Sequence, residues 1–195
     1  MTVTVFTKPH CPQCDATKRQ LTKLGVPFET VDLTQNPSTL EQLQAAGFPF
    51  LALGRSHLPQ PYAWFDFDNY AGTWQATRWL IEKGHQRIAL LGESNNQAFI
   101  TQRRQGYLDA LREAGLSSEW LRAMPPSRRV GYATTKELLA LPQPPTAIIT
   151  DCNTHGDGAA MALAQQGRLT GDNRVALVVY DGLPQDSIIE TRSAR

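Results

Sequence analysis

Leu80-Ile-Glu-Lys-Gly-His-Gln-Arg-Ile-Ala-Leu-Leu-Gly92 is the stretch on which the fold turns. It ends a helical pattern at Lys83-Gly84-His85, where glycine is a usual stop and a histidine complements the helix dipole, and it restarts at once as an apolar run, Ile88 to Leu91. Downstream the alternation repeats. The run precedes a helical pattern over 98–114, and a strand near Trp120-Leu-Arg-Ala-Met124 precedes a helix over 131–140. Ala147-Ile-Ile-Thr150 precedes a helix over 156–166, and Val175-Ala-Leu-Val-Val-Tyr180 closes the series. Near-continuous apolar strands between amphipathic helices predict a parallel sheet covered on both faces.

Upstream, Thr2-Val-Thr-Val-Phe-Thr7 reads as a strand that breaks at Lys8-Pro9-His10. From Cys11, Ala16, Leu21 and Leu24 fall on one side of a helix that Gly25 ends; Pro27 to Leu33 alternates as a strand; Leu40, Leu43 and Ala46 stripe a second helix ending at Gly47. This βαβα run implies a parallel pair crossed by a helix. Phe50 to Gly54 and Tyr62 to Asp68 read as two further strands joined by a polar loop, after which Asp68 and Asn69 can cap a helix carrying Trp74, Trp79 and Leu80. The sub-domain boundary is expected at Gly84-His85, giving units 1–84 and 85–195.

Composition narrows the function classes. The 195 residues are 41% hydrophobic and 19% charged with a formal charge of +1, which excludes a disordered chain and gives no footprint for gripping phosphate backbones or anionic lipid. No apolar run approaches the roughly 20 residues of a bilayer span, and Met1-Thr-Val-Thr-Val-Phe6 carries no signal-peptide pattern. A cytoplasmic protein without nucleic-acid or membrane partners is the expectation. Three cysteines are too few for a secreted disulfide scaffold.

Two of the three stand as Cys11-Pro12-Gln13-Cys14 at a strand-to-helix junction. The first cysteine of such a motif sits by unsatisfied N–H groups and the positive end of the helix dipole, which lowers its pKa; the second can resolve a mixed disulfide. Cys11 is thus the candidate nucleophile and Cys14 the candidate resolver. The alternative is half of a zinc site, for which Cys152 and four histidines are available without paired spacing.

Val5-Phe-Thr-Lys-Pro-His-Cys-Pro-Gln-Cys-Asp-Ala-Thr-Lys-Arg19, followed by Gly25-Val-Pro-Phe-Glu-Thr-Val-Asp-Leu33, resembles the NrdH-redoxin branch of the glutaredoxins. The resemblance covers about residues 1–47 and implies a thioredoxin-type fold, reduction by thioredoxin reductase with NADPH, and electron delivery to protein disulfides. It places Lys8, Pro12 and Gln13 around the thiolate and Pro49 near the family's cis-proline, although Gly47-Phe-Pro-Phe50 is a shorter approach than usual. The family's C-terminal Trp-Ser-Gly-Phe-Arg-Pro segment has no counterpart here.

From about residue 48 to 195 the chain resembles the effector-binding core of lactose/galactose-repressor-type regulators, itself similar to periplasmic sugar-binding proteins. The motifs are Pro61-Tyr-Ala-Trp-Phe-Asp-Phe-Asp-Asn-Tyr-Ala-Gly72, Leu80 to Gly92, Arg103-Arg-Gln-Gly-Tyr-Leu-Asp-Ala-Leu111, Pro145-Thr-Ala-Ile-Ile-Thr-Asp151 and Val178-Val-Tyr-Asp181. The resemblance implies a sugar clamped between two lobes, with Arg103, Asp151 and Asp181 as effector contacts; Asp151 replaces the commoner Asn. Guanidinium and carboxylate groups suit vicinal hydroxyls at the carboxyl ends of parallel strands. The family's helix-turn-helix has no match here, so operator binding is not expected.

Together the two resemblances predict an engineered or fragment-recombined chimera. In it, 1–84 is a glutaredoxin-like unit (1–47 redoxin-derived, 48–84 repressor-derived) and 85–195 a truncated effector-binding lobe. Its expected activity is thiol-disulfide exchange without a bound cofactor, with protein disulfides and thioredoxin reductase as partners. The alternatives are a scaffold without selected function and a weak sugar-binding module. The direction of strand 62–67 discriminates: an antiparallel hairpin would close a glutaredoxin-like sheet, whereas a parallel strand would extend a flavodoxin-like one. Trp64, Trp74 and Trp79 are expected in the core, and Cys152 as a passive thiol.

Overall fold

The computed structural model describes residues 3–7, 12–35, 38–54, 60–95 and 97–189. Two compact units result, Met1–Phe67 and Asp68–Arg195. The division falls after Phe67 and not at Gly84, because the helix over 69–82 shares its apolar cluster with the downstream sheet through Leu80, Ile88 and Leu90.

The first unit runs β1 (Val3–Thr7), α1 (Pro12–Lys23), β2 (Phe28–Asp32), α2 (Thr39–Ala45), β3 (Leu51–Leu53) and β4 (Ala63–Phe65). β1 and β2 pair in parallel from Val3↔Phe28 to Thr7↔Asp32, as the βαβ pattern predicts. β3 and β4 form a separate two-stranded sheet, and they too are parallel, with Leu51↔Ala63 and Leu53↔Phe65. The Gln44 side chain donates to the Gln60 carbonyl (2.8 Å), and Phe50 stacks on Tyr62 with centroids 5.8 Å apart.

This geometry corrects the expected N-terminal glutaredoxin-like unit. A thioredoxin-type closure needs an antiparallel hairpin, and strands 51–53 and 63–65 run the same way. No cis peptide occurs among the described residues, so Pro49 is not the cis-proline the resemblance implies. Cys11 and Lys8 lie outside the described residues, as do the side chains of Pro12 and Gln13. Cys14 is half-buried on α1 and disulfide-bonded.

The second unit runs α3 (Asn69–Glu82), β5 (Ile88–Glu93), α4 (Ala98–Glu113), β6 (Leu121–Met124), α5 (Arg128–Leu139), β7 (Ala147–Thr150), α6 (Asn153–Gln165) and β8 (Ala176–Val179). The four strands form one parallel sheet in the order β6-β5-β7-β8. Successive residues of a strand face opposite sides, and here both sides are covered. Ala89, Leu91 and Ile148 join the cluster with Leu138, Ala159 and Leu163 from α5 and α6. Ile88, Leu90 and Ile149 join the opposite cluster with Leu80, Tyr107 and Leu111 from α3 and α4. Hence the strands read as unbroken apolar runs.

Helix contacts are close where glycine stands at them. A Cβ on Gly131 of α5 would lie 2.6 Å from the His155 carbonyl oxygen, and one on Gly158 of α6 would collide with the Arg128 carbonyl oxygen. α3 is capped by Asp68, whose Oδ1 accepts from the Ala71 N–H (2.8 Å). It turns Thr73, Thr77 and Leu80 inward, so Trp79 is left 52% exposed and Trp74 reaches Glu113 with its indole N–H (3.2 Å). Trp64 is 45% exposed on β4, so the tryptophans do not form the expected core cluster. No helix among the described residues is long and apolar enough to cross a membrane.

Candidate functional site

In the second unit the chain leaves β5 toward β6 on one side and returns to β7 on the other. That reversal is a topological switch point, where the connections at the carboxyl ends diverge and open a crevice. Glu93 ends β5 and Asp151 follows β7, so both stand at this switch point. The Glu93 N–H donates to Asp151 Oδ2 (2.7 Å), and a Cβ on Gly92 would come 3.3 Å from that same oxygen. Burial first, and the Asp151 charge second, raise the Glu93 carboxyl above its ordinary pKa, against the Asn95 amide that donates to it (2.6 Å).

Arg103 occupies the centre. It projects from α4 and is only 6% exposed, and two of its three nitrogens have hydrogen-bond partners. Its Nε–H donates to Asn69 Oδ1 (2.9 Å), and one terminal nitrogen donates to the Asp151 backbone carbonyl. The guanidinium carbon lies 3.5 Å from the Tyr180 ring centroid and 5.0 Å from that of Phe99. The Tyr180 hydroxyl donates to the same Asn69 Oδ1 (3.1 Å). Thus α3, α4, the end of β7 and the residue after β8 all meet on one side chain.

Of the three expected effector contacts, Arg103 and Asp151 are brought into direct contact through the Asp151 carbonyl. Asp151 is 2% exposed, and its side chain turns toward Glu93 and α6. Asp181 follows Tyr180 directly, is exposed, and holds φ +66, a left-handed conformation that aspartate tolerates better than most residues.

Beneath Asp151 lies His155, fully buried on the first turns of α6. Its Nε2 faces the Pro125 carbonyl at 2.9 Å, and its Nδ1 stands 3.5 Å from Asp151 Oδ1, an ion-pair separation too long for a well-formed hydrogen bond. Burial pushes the His155 pKa down, but Asp151, Cys152 and the Pro125 carbonyl outweigh it and raise the imidazole to about 10.

Sequence reasoning missed Asn69, Phe99, Tyr180 and His155. Asn69 reads as a cap because it opens a helix, yet the capping is done by Asp68, which frees Asn69 for Arg103. Tyr180 reads as the last apolar residue of a strand, with only its place beside Asp181 as a clue.

Comparison with known proteins shows the family to which this fold belongs. The family model described as periplasmic binding proteins and sugar binding domain of LacI family matches residues 30–194. The HTH-type transcriptional regulator RafR of Escherichia coli is 60% identical over 151 residues, 77% of this chain and 45% of RafR. The HTH-type transcriptional regulator AglR of Rhizobium meliloti (strain 1021) is 33% identical over 149 residues, 75% of this chain and 42% of AglR. A solved structure described as a transcriptional regulator from Yersinia pestis biovar Microtus superposes with a TM-score of 0.81 at 37% identity, covering 97% of this chain and 80% of that one. The chain spans under half the length of these two curated relatives.

These findings overturn the chimera. One family model begins at residue 30, inside the segment expected to be redoxin-derived, and one regulator structure covers nearly the whole chain. Thiol-disulfide exchange by Cys11 and Cys14, and with it protein disulfides and thioredoxin reductase as partners, finds no support in these relatives, which are described as transcriptional regulators. Because RafR and AglR are transcriptional regulators, the exclusion of nucleic acid drawn from the chain's charge does not extend to the whole proteins it resembles. The parallel sheet with its switch point and the matched residues 30–194 lead to one assignment: the chain belongs to the family of periplasmic binding proteins and LacI-type sugar-binding domains.

Proposed function

We propose that this chain is an effector-binding region that takes a small neutral sugar at the carboxyl ends of β5, β7 and β8, and that it serves transcriptional regulation as RafR and AglR do. The observation that carries the reading is the arrangement of Arg103. Its Nε and one terminal nitrogen are spent on Asn69 and Asp151, and its plane is fixed against Tyr180. The other terminal nitrogen makes no hydrogen bond among the described residues, so it remains as a donor for a ligand hydroxyl. Asp181, exposed one residue beyond Tyr180, supplies the acceptor for an adjacent hydroxyl. Asp151 acts through its backbone, as the carbonyl that orients the guanidinium.

Titration calorimetry of the chain with a panel of neutral mono- and oligosaccharides tests this. A saturable heat with at least one sugar is expected, weakened at least tenfold in Arg103→Lys, because an ammonium cannot reproduce a planar fork held at two points. A folded wild-type chain that gives no heat with any member of the panel would overturn the proposal.

A further inference from the structure

We propose that Asp151, Cys152 and His155, at the start of α6, form a binding site for a single divalent transition-metal ion of the zinc class. The three side chains offer one oxygen, one sulfur and one nitrogen, all within 4.8 Å of one another. That donor set suits zinc or cobalt(II) and does not suit calcium or magnesium, which take oxygen ligands.

Two observations on the Asp151–His155 pair point to a bound cation. Asp151 Oδ1 and His155 Nδ1 are buried without a hydrogen-bond partner, on residues 2% and 0% exposed. They also face each other at 3.5 Å, close to the separation of two ligands on one tetrahedral zinc, about 3.3–3.5 Å from bond lengths of about 2.0–2.2 Å. The second ring nitrogen explains why they are unsatisfied. With Nε2–H donating to the Pro125 carbonyl (2.9 Å), an imidazole without a second proton presents its Nδ1 lone pair to a carboxylate oxygen that is also an acceptor. Two buried acceptors facing each other need a positive charge between them. A backbone carbonyl holding the far nitrogen is also the usual outer support of a metal-ligating histidine.

Cys152 decides between a proton and a metal as that charge. A proton can bridge the Asp151–His155 pair with the thiol beside it, but only a metal engages all three donors at once, and the free, half-buried thiol completes a three-ligand set with a fourth position open. Its Sγ lies 3.4 Å from Thr154 Oγ1, a weak contact that it can give up. The other Asp151 oxygen is held by the Glu93 N–H, so the carboxylate offers Oδ1 alone.

Cobalt(II) is the probe, added to the chelator-stripped chain with absorption spectra recorded. The expected result is a saturable spectrum at one equivalent with a thiolate-to-cobalt charge-transfer band, displaced by stoichiometric zinc. In Cys152→Ser that band should disappear while weaker cobalt binding persists, which separates this site from any binding by Cys11 and Cys14. In His155→Gln, cobalt affinity should fall at least tenfold. Zinc should also raise the melting temperature of the wild-type chain, reversibly with chelator, a readout that needs no folded variant. The proposal is overturned if the wild-type chain shows no charge-transfer band and no zinc-dependent rise, or if the band survives in Cys152→Ser.

Discussion

The two units repeat one chain rhythm and reach opposite degrees of burial. In the second, Ile88 through Gly92 are all buried on β5, whereas the three residues of β4 in the first, Ala63, Trp64 and Phe65, are all exposed. Among the first-unit residues whose side chains are described, only Val5 is buried. The difference follows from the number of strands. A four-stranded parallel sheet gives each inner strand two neighbours and two covered faces, while two separate two-stranded pairs leave edges and faces open within their own unit. Apolar sequence is thus a statement about strands in a wide sheet, and it carries less information where the sheet is two strands wide.

That contrast can be broken most forcefully at Ile148, buried at the centre of β7. Ile148→Ala should lower the unfolding free energy in urea by about 3 kcal/mol, through lost transfer energy and the cavity left behind. Next comes the α5–α6 contact: Gly158→Ala places a methyl group against the Arg128 carbonyl and should cost about 1–3 kcal/mol in the same assay.

A smaller effect is a slope with pH in the metal-free chain. His155 is raised from its ordinary 6.5 to about 10 in the folded protein. The folded state therefore binds the proton more tightly, and its contribution is fully present below pH 6.5 and lost as pH rises through 10. Melting temperature should decline across that window, and His155→Gln should flatten the decline. The smallest effect belongs to the first unit, where Leu51 is 62% exposed. Leu51→Ala should change stability by no more than about 0.5 kcal/mol, and a cost near that of Ile148→Ala would refute the contrast.

Much of the second unit is legible in the sequence. Its strands are short apolar runs bounded by helical periodicity, and the expected elements match the observed ones within a few residues. Helix starts were less legible: α5 and α6 begin at Arg128 and Asn153, earlier than 131 and 156, because neither Ser127 nor Cys152 caps its helix with a side-chain hydrogen bond. The parallel direction of β4 could not be read, since a polar, turn-rich loop looks the same before a hairpin strand and before a crossover strand. In the first unit the Cys-x-x-Cys spacing drew the functional reading away from the fold it stands in. At the site, Arg103 was visible only through resemblance, whereas Asn69 and Tyr180 converge on it from 34 residues before and from beyond β8. The Asp-Cys-x-x-His run at 151–155 is an i, i+4 pair with a thiol between, without the paired cysteine or histidine spacing that marks a zinc site in a sequence.

The clamp on Arg103 has a consequence for the timing of costs. A free arginine carries on the order of 2 kcal/mol of rotamer entropy, which an ordinary binding site surrenders when its ligand arrives. Here Asn69, the Asp151 carbonyl and the Tyr180 ring fix the side chain as the chain folds. The ordering is complete once the chain has folded, so on the proposed reading a sugar would meet a rigid donor and exchange only water for it.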